Sequence, residues 1–90
     1  MDIEIEHDPT EERLDQIGVF AWPIWEKGVS DFPWHYDERE RCYIVEGEFT
    51  VTPQGGAPVK IRAGDFVTFR RGMSCRWKIT KAVKKHYELG

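Results

Sequence analysis

Glycine-centred turns that recur at short, even intervals constrain this chain more than any other feature. Glu46-Gly47-Glu48, Pro53-Gln54-Gly55-Gly56, Ala63-Gly64-Asp65 and Arg71-Gly72 punctuate its second half. Between them lie segments rich in apolar residues, near 42–45, 48–52, 59–62, 66–69, 74–80 and 82–88. Short strands at this regular spacing, with no internal repeat or low-complexity tract, predict an antiparallel barrel or sandwich. Pro23, Pro33, Pro53 and Pro58 interrupt apolar runs. Proline cannot donate to a sheet ladder, so edges, bulges or turns are expected there.

The amino-terminal segment reads differently. Residues 2–6 alternate as Asp-Ile-Glu-Ile-Glu, the period of two of a half-exposed strand, expected at a sheet edge. In Asp8-Pro9-Thr10-Glu11, Asp8 is a capping acceptor, Pro9 suits the first helical position and Glu11 stands three residues after the cap. Leu14 and Ile17 follow at helical spacing, so a short helix ending near Gly18 is predicted. From Val19 onward the chain reads as β-structure.

With 90 residues, a single domain spanning 1–90 is expected, since domains most often run to about 100 to 150. A chain this short buries its surface only modestly. Its four Trp, three Tyr and five Phe suit a small barrel filled by bulky side chains, and a homodimer would bury more. Sixteen acidic and thirteen basic residues are interspersed to a net charge of -3, which leaves no basic face for nucleic acid. The one sustained basic run, at 78–85, reads as a solvated face carrying Lys78, Lys81, Lys84 and Lys85. No apolar run approaches the roughly 20 residues of a membrane span. The acidic start MDIEIEHDP lacks a signal-peptide core, so a cytoplasmic protein with no membrane partner is expected. Cys42 and Cys75 form neither a disulfide framework nor a CxxC pair and are expected as free thiols.

The segments GVSDFPWHYDERERCYIVEG and GDFVTFRRGMSCRWKI resemble the two signatures of the cupin superfamily, G-x5-H-x-H-x3-E-x6-G and G-x5-P-x-G-x2-H-x3-N. Gly28, Glu40, Gly47, Gly64 and Gly72 fall in place. Trp34 and Tyr36 stand where two histidines would, Arg70 replaces the proline, Cys75 the third histidine and Ile79 the asparagine. This variant looks like the small single-domain cupins grouped with the (S)-ureidoglycine aminohydrolase cupin domain, over roughly residues 22–87. The resemblance implies an all-β fold, a small antiparallel, jelly-roll-like β-barrel with one short N-terminal helix. It also implies a reduced metal set, limited to Glu40 and Cys75.

In a strand, alternate residues share a face. Trp34 and Tyr36 therefore point one way and His35 the other, while Cys75, Trp77 and Ile79 oppose Arg76 and Lys78. If the barrel closes as in cupins, Trp34, Tyr36, Glu40, Cys75 and Trp77 converge on its interior as a ligand-binding set. One carboxylate, one thiolate and one phenol make a poor site for divalent ions, so no cofactor is expected. Mn, Fe, Ni or Zn are the ions that a residual site would take. Glu40 is the candidate general acid or base. The structural alternative is a hydrogen bond to Tyr36 or an indole N–H, or a pair with Arg76. Cys75 reads as a small buried hydrophobe before it reads as a nucleophile, and Cys42 more so. Trp22, Trp25, Trp34 and Trp77 either fill the barrel or wall a pocket. His7, His35 and His86 read as surface or interface residues.

The leading expectation is a small cupin that binds a small molecule in its barrel. The alternative is a metal-dependent enzyme acting on a small nitrogenous metabolite, as in ureidoglycine aminohydrolases. A third reading is a structural protein whose outer strands form a dimer.

Overall fold

Two long antiparallel strands carry the fold of the computed structural model, which describes residues 2–90. In chain order the elements are β1 (Ile3–His7), α1 (Glu11–Ile17), a 3-10 turn (Val19–Ala21), β2 (Ile24–Lys27), β3 (Ser30–His35), β4 (Glu40–Pro53), β5 (Val59–Arg62), β6 (Asp65–Phe69) and β7 (Ser74–Leu89). β4 and β7 pair along their lengths, from Glu40 opposite Leu89 to Pro53 opposite Cys75. The outer edge of β4 takes β6 along its first part and β5 along its second. The outer edge of β7 takes β3 beside residues 74–79 and β2 beside residues 83–86. β1 closes the far side and, among the described residues, pairs with β6 alone, an edge strand as its alternation predicts. All pairings are antiparallel, and the curved sheet with its single short helix is the all-β fold expected from the turns.

Two predicted breaks are absent. Glu46-Gly47-Glu48 is not a turn: β4 runs through it, with register shifts against β7 between Ile44 and Phe49. Gly47 has φ 104°, and a Cβ there would strike the carbonyl of Ala82. A positive-φ glycine serves a β-bulge as well as a turn, and here it bends a long strand without ending it. The bulge also changes the inward parity. Glu40, Cys42 and Ile44 are buried before it, and Phe49 and Val51 after it. Likewise the two segments predicted at 74–80 and 82–88 are one strand.

The helix begins later than predicted. Its N-cap is Thr10, whose Oγ1 accepts from the Arg13 N–H at 3.2 Å. Asp8 instead takes φ 47° and donates its N–H to the Gly64 carbonyl, which ties the helix entry to the β5–β6 turn. The C-terminal end is as expected, with Gly18 at φ 89° donating to the carbonyls of Leu14 and Asp15.

Aromatic stacking fills the interior. Trp77 lies flat on Phe49 with centroids 4.2 Å apart, and Tyr36 on Phe69 at 4.8 Å. Ile44, Val51, Ile61, Val67 and Ile79 complete the same cluster. A smaller cluster of Leu14, Val19 and Phe66 anchors the helix on the outside, and Trp22 packs there, not in the barrel.

Candidate functional site

The inward parity of β7 lapses at exposed Lys81 and resumes at Val83 and Lys85, which are buried. Lys85, read from the sequence as part of a solvated basic run, is buried, whereas Lys78 and Lys81 are exposed. Its Nζ donates to Glu40 Oε2 at 2.5 Å, with side-chain exposures of 6% and 9% for the lysine and the glutamate. Glu40 is thus inward as predicted, but none of its three expected partners holds it. The Tyr36 hydroxyl accepts from Trp77 Nε1 at 3.1 Å. Arg76, on the outward face, donates to Asp31 at 2.6 Å.

The ammonium is further held by aromatic faces, 4.7 Å from the ring centroid of Trp25 and 4.8 Å from that of Trp77. Attraction to indole faces strengthens when water is excluded. The pair forms the floor of a cavity of about 250 Å³. Trp25 on β2 and Phe32 and Trp34 on β3 wall one side, and Trp77, Tyr87 and Leu89 on β7 the other. Trp34 stands at the mouth, half exposed, edge-on to Phe32 at 6.4 Å.

Of the five residues expected to converge, Trp34, Glu40 and Trp77 line this cavity. Tyr36 and Cys75 do not. Both are buried, and each is committed to packing: Tyr36 against Phe69, Cys75 beneath β3 opposite Trp34 in register. Burial, followed by the charge of Glu40, holds the Tyr36 phenol far above its ordinary range. Burial pushes the Cys75 thiol up to about 11 and the Cys42 thiol up to about 12, the latter against the pull of Lys85. Burial thus disfavours the thiolate form on which a nucleophilic role depends. Lys85, Phe32, Tyr87 and Leu89 escaped the sequence reading. The inward parity of Cys75, Trp77 and Ile79 extends to both Lys81 and Lys85, and only Lys85 is buried.

The cupin resemblance implies a divalent metal, and the donor set here does not fit one. Glu40 is taken by Lys85, and Cys75 lies outside the cavity that Glu40 lines. Among the described residues, no three His, Cys, Asp or Glu side chains gather where they would share a cation. The histidines are engaged elsewhere. His7 Nδ1 lies 2.7 Å from Asp65 Oδ1, His35 Nδ1 lies 2.7 Å from Ser74 Oγ, and His86 Nδ1 lies 3.0 Å from the Trp22 carbonyl.

A curled antiparallel sheet around an aromatic interior, opening into one side cavity, defines a small cupin-fold protein. Residues 14–87 match the EutQ-like cupin domain, and the chain belongs to that family. It is similar to a DUF861 family protein from Thermotoga maritima, with 50% identity over 98% of this chain and 99% of that one and a TM-score of 0.94. A putative ethanolamine utilization protein Q from Salmonella typhimurium shares the fold at 24% identity and TM-score 0.66, over 73% of this chain and 53% of that one. The chain therefore spans about half the length of that protein. A DUF861 family protein of unknown function from Pseudomonas syringae shares the fold at 22% identity and TM-score 0.68, over 74% of this chain and 29% of that one. No curated protein matches.

Proposed function

We propose that this protein binds a small molecule in the barrel cavity, without a metal. One observation carries the reading: a buried Glu40–Lys85 pair forms the floor of an otherwise aromatic and apolar cavity that opens to solvent past Trp34. Ligand sites are apolar concavities with a few placed polar groups, and this cavity has that composition. At about 250 Å³ it suits a molecule below drug size.

The resemblance to the ureidoglycine aminohydrolase cupin domain supplies the enzymatic alternative, hydrolysis of a small nitrogenous metabolite. Its chemistry runs through metal-ligand positions that here read Trp34, Tyr36 and Cys75, and its remaining carboxylate is held by Lys85. Binding is the better-supported reading. A homodimer is proposed on separate grounds, since among the described residues β3 is paired on one side only and Val29 and Trp34 are exposed beside that edge. Light scattering showing only monomer at high concentration would remove it.

A fragment screen followed through indole N–H signals tests the cavity. Trp25, Trp34 and Trp77 line it, and Trp22 lies outside as an internal reference. Compounds that move the first three and leave Trp22 in place are expected. A screen in which no compound moves them would overturn the reading.

A further inference from the structure

Resting on the cavity reading, the polar atoms at its floor narrow the ligand to a chemical class. An ammonium carries three hydrogens. One of those on Lys85 is directed at Glu40 Oε2, and among the described residues Nζ makes no other hydrogen bond. The Glu40 carboxylate also accepts from the Cys42 thiol, a weak donor, and among the described residues no other donor reaches it, so lone pairs remain on its oxygens. Both side chains are more than nine-tenths buried, and both face the cavity. Spare capacity of both kinds therefore stands side by side, in ammonium hydrogens that meet only ring faces and in carboxylate lone pairs beyond those used by Lys85 and Cys42.

The charge of this floor sums to zero. A carboxylate ligand would satisfy Lys85 but confront Glu40, and an ammonium ligand the reverse. Either would leave one net charge in an apolar cavity, which is expensive without a third partner. A ligand with no hydrogen-bonding edge would leave that spare capacity unmet. A neutral group with a carbonyl oxygen beside an N–H engages both and leaves the net charge at zero.

We propose that the cavity takes a neutral planar molecule with an amide-type edge, a carboxamide or a lactam. Its carbonyl oxygen accepts from Lys85 Nζ and its N–H donates to the Glu40 carboxylate. The ring that carries the edge lies among Trp25, Phe32 and Trp34.

Four probes on one ring separate the possibilities: benzamide, benzoate, benzylamine and toluene, titrated into the protein at neutral pH and followed through the cavity indole signals. Benzamide is expected to bind at least about tenfold more tightly than each of the others, the factor that goes with leaving one buried polar group unpaired. In the double variant Lys85→Met, Glu40→Leu, which removes both charges together, toluene is expected to match or exceed benzamide. If benzoate or benzylamine binds the wild-type protein as tightly as benzamide, the class is wrong while the cavity stands. If toluene equals benzamide in the wild type, the floor does not recognise ligand. If none of the four binds, both the class and the cavity reading fail. The wild-type ranking decides the matter even if the double variant does not fold.

Discussion

Lys85 stands opposite Ile44 in the β4–β7 register, yet its ammonium reaches Glu40, two inward positions back along β4. The long lysine stem runs along the inner face of the central strand pair, and the faces of Trp25 and Trp77 flank its head. No residue directly opposite Glu40 could do this, since its own register partners are Leu89 and Phe69. The diagonal reach sets the charged pair against the aromatic lining of the cavity.

Trp34 belongs to the cavity more than to the core, being half exposed at its mouth. Trp34→Ala is expected to lower stability by about 1 kcal/mol or less, against about 3 to 5 kcal/mol for a fully buried tryptophan such as Trp77. The same change is expected to weaken any cavity ligand. Chemical denaturation and titration of the two variants separate a wall residue from a filler.

Gly47→Ala is expected to be the most damaging glycine substitution, because φ 104° is combined with a collision against the backbone of Ala82. Gly72→Ala meets only the conformational strain, with φ 87° and open space around the added methyl. A loss of about 1 kcal/mol is expected at Gly72 and a clearly larger one at Gly47. Equal denaturation midpoints would show that the bulge tolerates a side chain.

Turns, strand alternation and the N-terminal helix were legible in the sequence because each rests on a local preference, such as the positive φ of Gly18 or the apolar period of Leu14 and Ile17. The bulge at Gly47 was not, since a glycine between two glutamates reads identically in a turn and in a bulged strand. Only the long pairing of β4 with β7 distinguishes them. Glu40 was legible as an inward carboxylate, but its partner was not. Lys85 sits in a run of lysines whose composition signals solvent, and parity does not separate it from exposed Lys81; what sets it apart is the buried carboxylate of Glu40, brought within reach only by the β4–β7 pairing. Tyr36 and Cys75 were expected in a cavity and lie in the core, because bulky Trp77 and Phe69 occupy the space beside them.

The Tyr36 hydroxyl is the acceptor for the buried indole of Trp77. Tyr36→Phe removes that acceptor and strands a buried N–H, at a cost of about 1 to 3 kcal/mol. Retention of full stability on denaturation would show that the indole finds another acceptor.

Cys42 and Cys75 give the stability a defined alkaline limb. Their folded values, about 12 and about 11, lie above the ordinary 9.0. Above pH 9 the unfolded chain therefore loses protons that the folded chain keeps, and stability falls as pH rises. The contribution is complete below pH 9 and is lost through the interval up to about 11 and 12. Cys42→Ala is expected to flatten the fall between pH 9 and pH 11 relative to wild type. Parallel curves for the two proteins would show that the Cys42 thiol does not titrate with unfolding.

A double-mutant cycle on Glu40 and Lys85, read by chemical denaturation, is the most direct test of the buried pair. Lys85→Met leaves a buried carboxylate unpaired and is expected to cost about 3 to 5 kcal/mol, as is Glu40→Leu for the stranded ammonium. The double variant is expected to recover most of that loss, giving a coupling of about 2 kcal/mol or more, while Lys78→Met on the outward face changes stability by about 0.5 kcal/mol or less. Single losses that add in the double variant would contradict the account, because they would mean that the two charges do not meet inside the barrel.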